Sequence, residues 1–141
     1  MLRRFLFSKI GLIVALGCLL FGLSCGRDQQ LASIEIQPGV ETFGAANIPV
    51  PANAGATVQL RALGNYIHPP VTKDITNQVT WTSNTPQMVT VDSTGLITVT
   101  GNACGGTTVS ATKVTNKSAG GLGSTGALVT GTMTANVVCG N

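Results

Sequence analysis

The sequence has few charged residues, few aromatic residues and a single histidine. Of its 141 residues, 9% are charged and 4% are aromatic, and His68 is the only histidine. The net charge of +3 is accounted for by Arg3, Arg4 and Lys9, so the rest of the chain balances five basic against five acidic residues. This balance leaves no basic patch, and we therefore expect no nucleic-acid interface.

A helical hydrophobic period is also missing beyond residue 25. Instead, short segments rich in Thr and Val alternate between polar and apolar residues, which is typical of half-buried strands. Frequent Gly, Pro, Asn and Asp turns separate these segments, and the pattern predicts an all-β fold, an antiparallel β-sandwich of about seven strands. The predicted strands are residues 33–37, 57–62, 79–82, 88–91, 96–100, 107–112 and 127–138.

Three longer segments are predicted to connect these strands. Residues 40–55 show no clear period, and residues 64–77 contain Pro69-Pro70, which bars a central strand. Residues 116–126 are rich in Gly and Ser, which indicates a flexible loop. The predicted core consists of Ile34, Ile36, Val58, Leu60, Trp81, Val89, Val91, Val109, Ala111, Val129, Met133, Ala135 and Val137.

The N-terminal segment has the three parts of a secretion signal. Basic residues precede an apolar stretch, residues 10–23, which is followed by Ser24 and Cys25. This segment resembles the signal peptide of bacterial lipoproteins, although Gly22 stands where that family commonly has Leu. The resemblance implies that Cys25 receives the lipid and becomes the new N-terminus.

Other interpretations of this segment remain open. Cys18 is a second candidate for processing, although cleavage there would leave an apolar N-terminus. Residues 5–23 approach the ~20 apolar residues of a membrane-spanning helix, which leaves an uncleaved anchor open. Simple secretion is a further alternative. We favour lipidation at Cys25.

The lipoprotein resemblance also implies an organisation and a location. It divides the chain into a signal peptide at residues 1–24, a lipid-anchored tether at 25–30 and a domain at 31–141. The protein is then expected in the bacterial cell envelope, attached to a membrane through the lipid on Cys25. No Asp follows Cys25 directly, which is compatible with the sorting rule described for some Gram-negative lipoproteins and favours the outer membrane or the cell surface over the inner membrane.

The middle of the chain has a characteristic order of motifs. Val79-Thr80-Trp81-Thr82-Ser83-Asn84 is followed by a short Val strand, an Asp92-Ser93-Thr94-Gly95 hairpin and a strand bounded by Gly. This order resembles a bacterial immunoglobulin-like domain of group 2. The resemblance implies an immunoglobulin-like sandwich with a buried Trp81, an extracytoplasmic location and no catalytic residues, and family members often occur in adhesins and other cell-surface proteins.

Two cysteines remain in the proposed domain. Cys104 and Cys139 lie at the open ends of the sixth and seventh predicted strands, and an oxidising compartment permits a disulfide between them. If the inward-facing residues of both strands are odd-numbered, a regular ladder does not place position 104 directly opposite position 139. An extra residue in a bulge at Gly105-Gly106 would bring the two cysteines into register. No second His or Cys pair accompanies them, so we predict a disulfide and no metal site.

The remaining candidates belong to loops. Tyr66, Ile67 and His68 are predicted to form an exposed contact loop. Asp74 and Asp92 are expected to cap their own turns, with a calcium site as the alternative.

These observations predict a non-enzymatic protein without a cofactor. Its immunoglobulin-like domain is expected to serve binding, adhesion or structural spacing at the cell surface, with an unknown protein or glycan as partner. The alternative is an accessory subunit of a periplasmic or envelope assembly.

Overall fold

The computed structural model describes residues 29–115 and 126–140. The predicted signal peptide with Cys25, and residues 116–125 of the predicted flexible loop, lie outside the described residues. Within this part of the chain no helix is long and apolar enough to cross a membrane. The described strands are β1 (Gln30–Gln37), β2 (Val40–Phe43), β3 (Thr57–Gln59), β4 (Arg61–Ile67), β5 (Val71–Asp74), β6 (Thr80–Ser83), β7 (Val89–Val91), β8 (Leu96–Val99), β9 (Gly105–Thr115) and β10 (Ala127–Val137).

The strands form three hydrogen-bonded sheets that build an immunoglobulin-like β-sandwich. Their orders are β1-β4-β5, β2-β10-β9-β6 and β3-β8-β7. The first and third sheets share one extended segment, because β3 and β4 follow each other and are separated only by Leu60. All pairings are antiparallel except that of β2 with β10. The predicted all-β sandwich is therefore confirmed.

Alternation between apolar and polar residues positions the core, as expected for strands with one buried face. In β9 and β10, Val109, Ala111, Met133 and Ala135 are buried, whereas the Thr residues of β10 between them are exposed. All predicted core residues are buried except Val58, Val91 and Val129, which are partly buried against the core. The core also contains residues that were not predicted: Leu31, Phe43, Ala62, Ile75, Met88, Ile97 and Val99.

Two predicted connections contain strands. Residues 40–43 form β2, which pairs with β10 and buries Phe43. Residues 64–77 were predicted as a loop or irregular edge segment. β4 continues to Ile67 and pairs in a hairpin with β5, which is an edge strand of its sheet. Pro69-Pro70 lies in the turn of this hairpin, where the missing proline N–H groups interrupt no ladder.

The sandwich has two distinct ends because β1 and β10 run in the same direction. A Cβ on Gly131 of β10 would lie 2.5 Å from the carbonyl oxygen of Ile34, and Thr134 donates its N–H to the carbonyl of Gly39 at 3.0 Å. One end, here called the N-terminal end, therefore contains the starts of β1 and β10, the end of β9 and the β4–β5 turn. The opposite end contains the end of β10, with Cys139 and Gly140.

Candidate binding site

The two cysteines of the domain form the predicted disulfide at the opposite end. The sulfur atoms of Cys104 and Cys139 are 2.00 Å apart, and the Cα atoms are 5.2 Å apart. The predicted bulge is wrong, because β9 and β10 stay in register down to the pair of Gly105 with Val137. Gly105 has a φ of +120°, which L side chains rarely adopt, and the chain turns at this glycine to bring Cys104 to its partner.

The predicted contact loop lies at the N-terminal end, where β4 enters its turn. Tyr66 is half-buried against the core, and the Lys73 ammonium lies 5.2 Å from the centroid of its ring. Ile67 and His68 are exposed, and His68 has a φ of 63°. The accessible part of this loop thus begins at Ile67, and its role as a contact stays a prediction.

A polar notch lies halfway along the sandwich, at the junction between the end of β3 and the start of β4. It has a volume of about 550 Å³ and opens between β5 and the turn that joins β7 to β8. The residues that line the notch are Gln59, Leu60, Arg61, Asp74, Thr76, Asn77, Gln78 and Thr94. Leu60 is the apolar member of this set, so the notch presents mainly amides, hydroxyls and one ion pair.

The ion pair joins β4 to the end of β5. The Nε and Nη2 atoms of Arg61 both donate to Oδ2 of Asp74, at 3.1 and 3.0 Å. The other carboxylate oxygen, Oδ1, accepts the Thr76 hydroxyl at 2.6 Å and the Thr76 N–H at 3.0 Å. The Thr76 hydrogen bonds, and after them the Arg61 guanidinium, lower the pKa of Asp74 from 3.8 to about 2. Asp74 is therefore a carboxylate at neutral pH.

The opposite wall of the notch is held by the β7–β8 turn. Gln59 donates its amide N–H groups to the carbonyls of Leu60 and Thr94, at 2.9 and 2.7 Å. Within the turn, Oδ1 of Asp92 accepts the Thr94 hydroxyl, the Thr94 N–H and the Leu96 N–H. The Thr94 hydroxyl and then the Leu96 N–H lower the pKa of Asp92. These bonds fix the position of Thr94 at the rim.

Both aspartates cap their own turns, as expected from the sequence. In each case Oδ1 accepts the hydroxyl and the N–H of the Thr two residues later, in the patterns Asp74-Ile75-Thr76 and Asp92-Ser93-Thr94. Among residues 29–115 and 126–140, no three His, Cys, Asp or Glu side chains are grouped to hold a metal ion. The shared Asp-x-Thr pattern is the sequence signal that marks the two sides of the notch, although the pattern alone does not predict that the two turns lie side by side.

The chemistry of the notch suits a polar ligand. Arg61 has five N–H donors, of which two are directed at Asp74, and its side chain is 60% exposed. Hydroxyl, amide and guanidinium groups recognise sugar hydroxyls or a peptide backbone through hydrogen bonds, whereas an apolar ligand needs an apolar lining.

The fold and the motif order agree with a comparison of the sequence with known families. Residues 45–121 match the bacterial Ig-like domain (group 2), which is more than half of the chain, and the chain belongs to this family. β1, β2 and β10 lie outside the matched residues and complete the sandwich. Membership supports a surface or adhesion-type role at the level of the family. No curated relative matches the chain.

Proposed function

We propose that this protein is a lipid-anchored module of the bacterial cell envelope whose immunoglobulin-like domain binds a polar partner at the cell surface. The observation that carries the proposal is the polar notch, whose two sides are held by capped turns. The notch belongs to a sandwich in which a disulfide joins the ends of β9 and β10. The lipoprotein-like segment that ends at Cys25 supplies the anchor. A rigid scaffold presenting a preformed polar site is suited to recognition.

The partner chemistry follows from the groups that line the notch. Arg61 offers its remaining N–H donors, and Asn77 and Gln78 are exposed amides beside it. We propose a glycan or an extended peptide as the ligand class, since both present alternating donors and acceptors. The domain needs no cofactor for this role and is proposed to be non-enzymatic.

The anchor is tested by intact mass spectrometry of protein purified from bacterial membranes. A mass equal to residues 25–141 plus an acylated diacylglycerol group on the cysteine would support it. The Cys25→Ala variant should then lose both the lipid and membrane association, whereas Cys18→Ala should retain both. A full-length or lipid-free mass would overturn lipidation.

The location is tested by antibody labelling of the domain on intact and permeabilised cells. Labelling of intact cells supports the proposed surface role. Labelling that appears only after permeabilisation contradicts it and favours an accessory subunit of a periplasmic or envelope assembly.

The role of the notch is tested by measuring how the fluorescently labelled domain binds to an array of bacterial and host glycans. Arg61→Ala should abolish any binding of the wild type, because it removes the donors and leaves Asp74 unpaired. Lys73→Ala is the matched control, since Lys73 is an exposed cation outside the notch. Equal loss in both variants would indicate a charge effect and contradict recognition by the notch.

A further inference from the structure

The N-terminal end of the sandwich has an unusual concentration of exposed apolar side chains. Ile67 and Val71 flank the β4–β5 turn, with exposed fractions of 39% and 38%. Val114 and Leu128 face each other across β9 and β10, with exposed fractions of 60% and 65%. The other exposed large apolar residues among those the structure describes, Val40 and Ile48, lie toward the opposite end.

The chain enters the domain at this same end. β1 begins at Gln30, which is paired with Ile67 across the ladder. The Lys73 ammonium also donates to the side-chain oxygen of Gln29. Five residue steps separate Cys25 from Gln30, and a fully extended chain of that length spans at most about 18 Å. A lipid on Cys25 would therefore hold the exposed apolar residues close to the bilayer.

The described lysines lie toward the N-terminal end of the sandwich, and the described carboxylates do not. The Lys73 ammonium extends toward the N-terminal end through its contact with Gln29. Lys113 lies two residues before the end of β9, and its ammonium donates to the side-chain oxygen of Gln78 at 2.6 Å. The described carboxylates lie elsewhere: Glu35, Asp74 and Asp92 are near the middle, and Glu41 is on β2 toward the opposite end. Among residues 29–115 and 126–140, no carboxylate lies at the N-terminal end itself, and cations at this end favour anionic lipid headgroups.

We propose that the N-terminal end of the sandwich rests on the phospholipid surface, with Ile67, Val71 and Leu128 at the level of the headgroups. This inference depends on the proposed lipid anchor. It gives the predicted contact loop of Tyr66, Ile67 and His68 a lipid surface as its partner. Apolar and basic side chains beside a covalent lipid supply the second contact that makes membrane attachment stable.

The test measures the depth of each end by fluorescence quenching. Lipidated protein, verified by intact mass, is reconstituted in phosphatidylethanolamine and phosphatidylglycerol vesicles with brominated acyl chains. Ile67→Trp reports the N-terminal end, and Ile48→Trp is the matched control, because Ile48 has the same side chain and an exposed fraction of 38%. The strand β10 has eleven residues and separates the two ends by roughly 33 Å. The wild type, whose only tryptophan is Trp81, supplies the baseline.

We expect the added fluorescence of Ile67→Trp to be quenched several-fold more than that of Ile48→Trp. Equal quenching of the two variants in lipid-bearing protein would overturn the inference and leave the anchor intact. A mass without lipid would overturn the anchor and, with it, this inference. Protection of Ile67→Trp from acrylamide without quenching by bromine would show that a second copy or another protein covers this end, which also overturns it.

Discussion

Trp81 donates its indole N–H to the carbonyl oxygen of Thr76 at 3.0 Å, which ties the buried core to the wall of the polar notch. The Thr76 hydroxyl also accepts the N–H of the buried residue Ala62 at 2.9 Å and donates to Asp74. Thr76 therefore joins β4, β6 and the end of β5. Thr76 thus helps to hold the Asp74 carboxylate in place, together with the β4–β5 ladder.

Replacing Thr76 by Val should destabilise the domain by about 1–3 kcal/mol, because the buried Ala62 N–H loses its acceptor while side-chain volume is kept. The pKa of Asp74 should also rise, since the largest cause of its shift is removed. Urea unfolding and carboxyl NMR titration measure the two effects. Thr72→Val is the matched control, because the exposed Thr72 hydroxyl bonds only to Asn65 in the described structure. Equal stability of the two variants would contradict the assigned role.

The stability of the domain should fall in acid. The pKa values of Asp74 and Asp92 are lower in the folded protein than their ordinary value of 3.8, so the unfolded chain binds protons more readily. Their stabilising contribution is complete above about pH 4 and is lost as the pH falls toward about 2, through the pKa of Asp74. Urea midpoints across this range measure the loss. The Asp74→Asn, Asp92→Asn double variant should show a flatter pH dependence, and an unchanged slope would contradict the prediction.

Some parts of the structure could be predicted because local sequence determines them. The long strands β9 and β10 bury alternate residues over positions 107–111 and 131–137, such as Val109 and Met133, and this alternation is visible without knowledge of the fold. The disulfide followed from the positions of Cys104 and Cys139 at the ends of the same two strands. The local geometry next to Cys104 could not be predicted in the same way. The sequence suggested a bulge, whereas the ladder is regular and Gly105 has a positive φ.

Other parts depend on contacts between distant segments. All four residues of β5 are exposed, so this strand has no alternation to detect and exists because it pairs with β4. β2 is also only four residues long, and its Phe43 becomes part of the core through parallel pairing with β10. The notch combines Gln59, Asp74 and Thr94, which come together only because β5 and the β7–β8 turn flank the same extended segment.

Removing the disulfide should cost about 4 kcal/mol of folding free energy by the chain-entropy model, since the linked residues are 35 positions apart. The Cys104→Ala, Cys139→Ala double variant tests this value by urea unfolding. The wild type under reducing conditions is the control, and its midpoint should fall by a similar amount. A loss below about 1 kcal/mol in both would show that the bond does little to restrain the unfolded chain.

Gly131 should be among the least replaceable residues of the fold, because it allows β10 to approach β1 closely. A Cβ at this position would lie 2.5 Å from the carbonyl oxygen and 2.9 Å from Cγ2 of Ile34, so the two layers would have to separate. Gly131→Ala should therefore destabilise the domain by about 1–3 kcal/mol. Gly39→Ala is the matched control, because its nearest neighbour outside the adjoining residues is the Ile36 carbonyl oxygen at 3.8 Å, an ordinary contact distance. Urea unfolding of both variants gives the comparison, and similar midpoints would show that the sandwich adapts to the added methyl group.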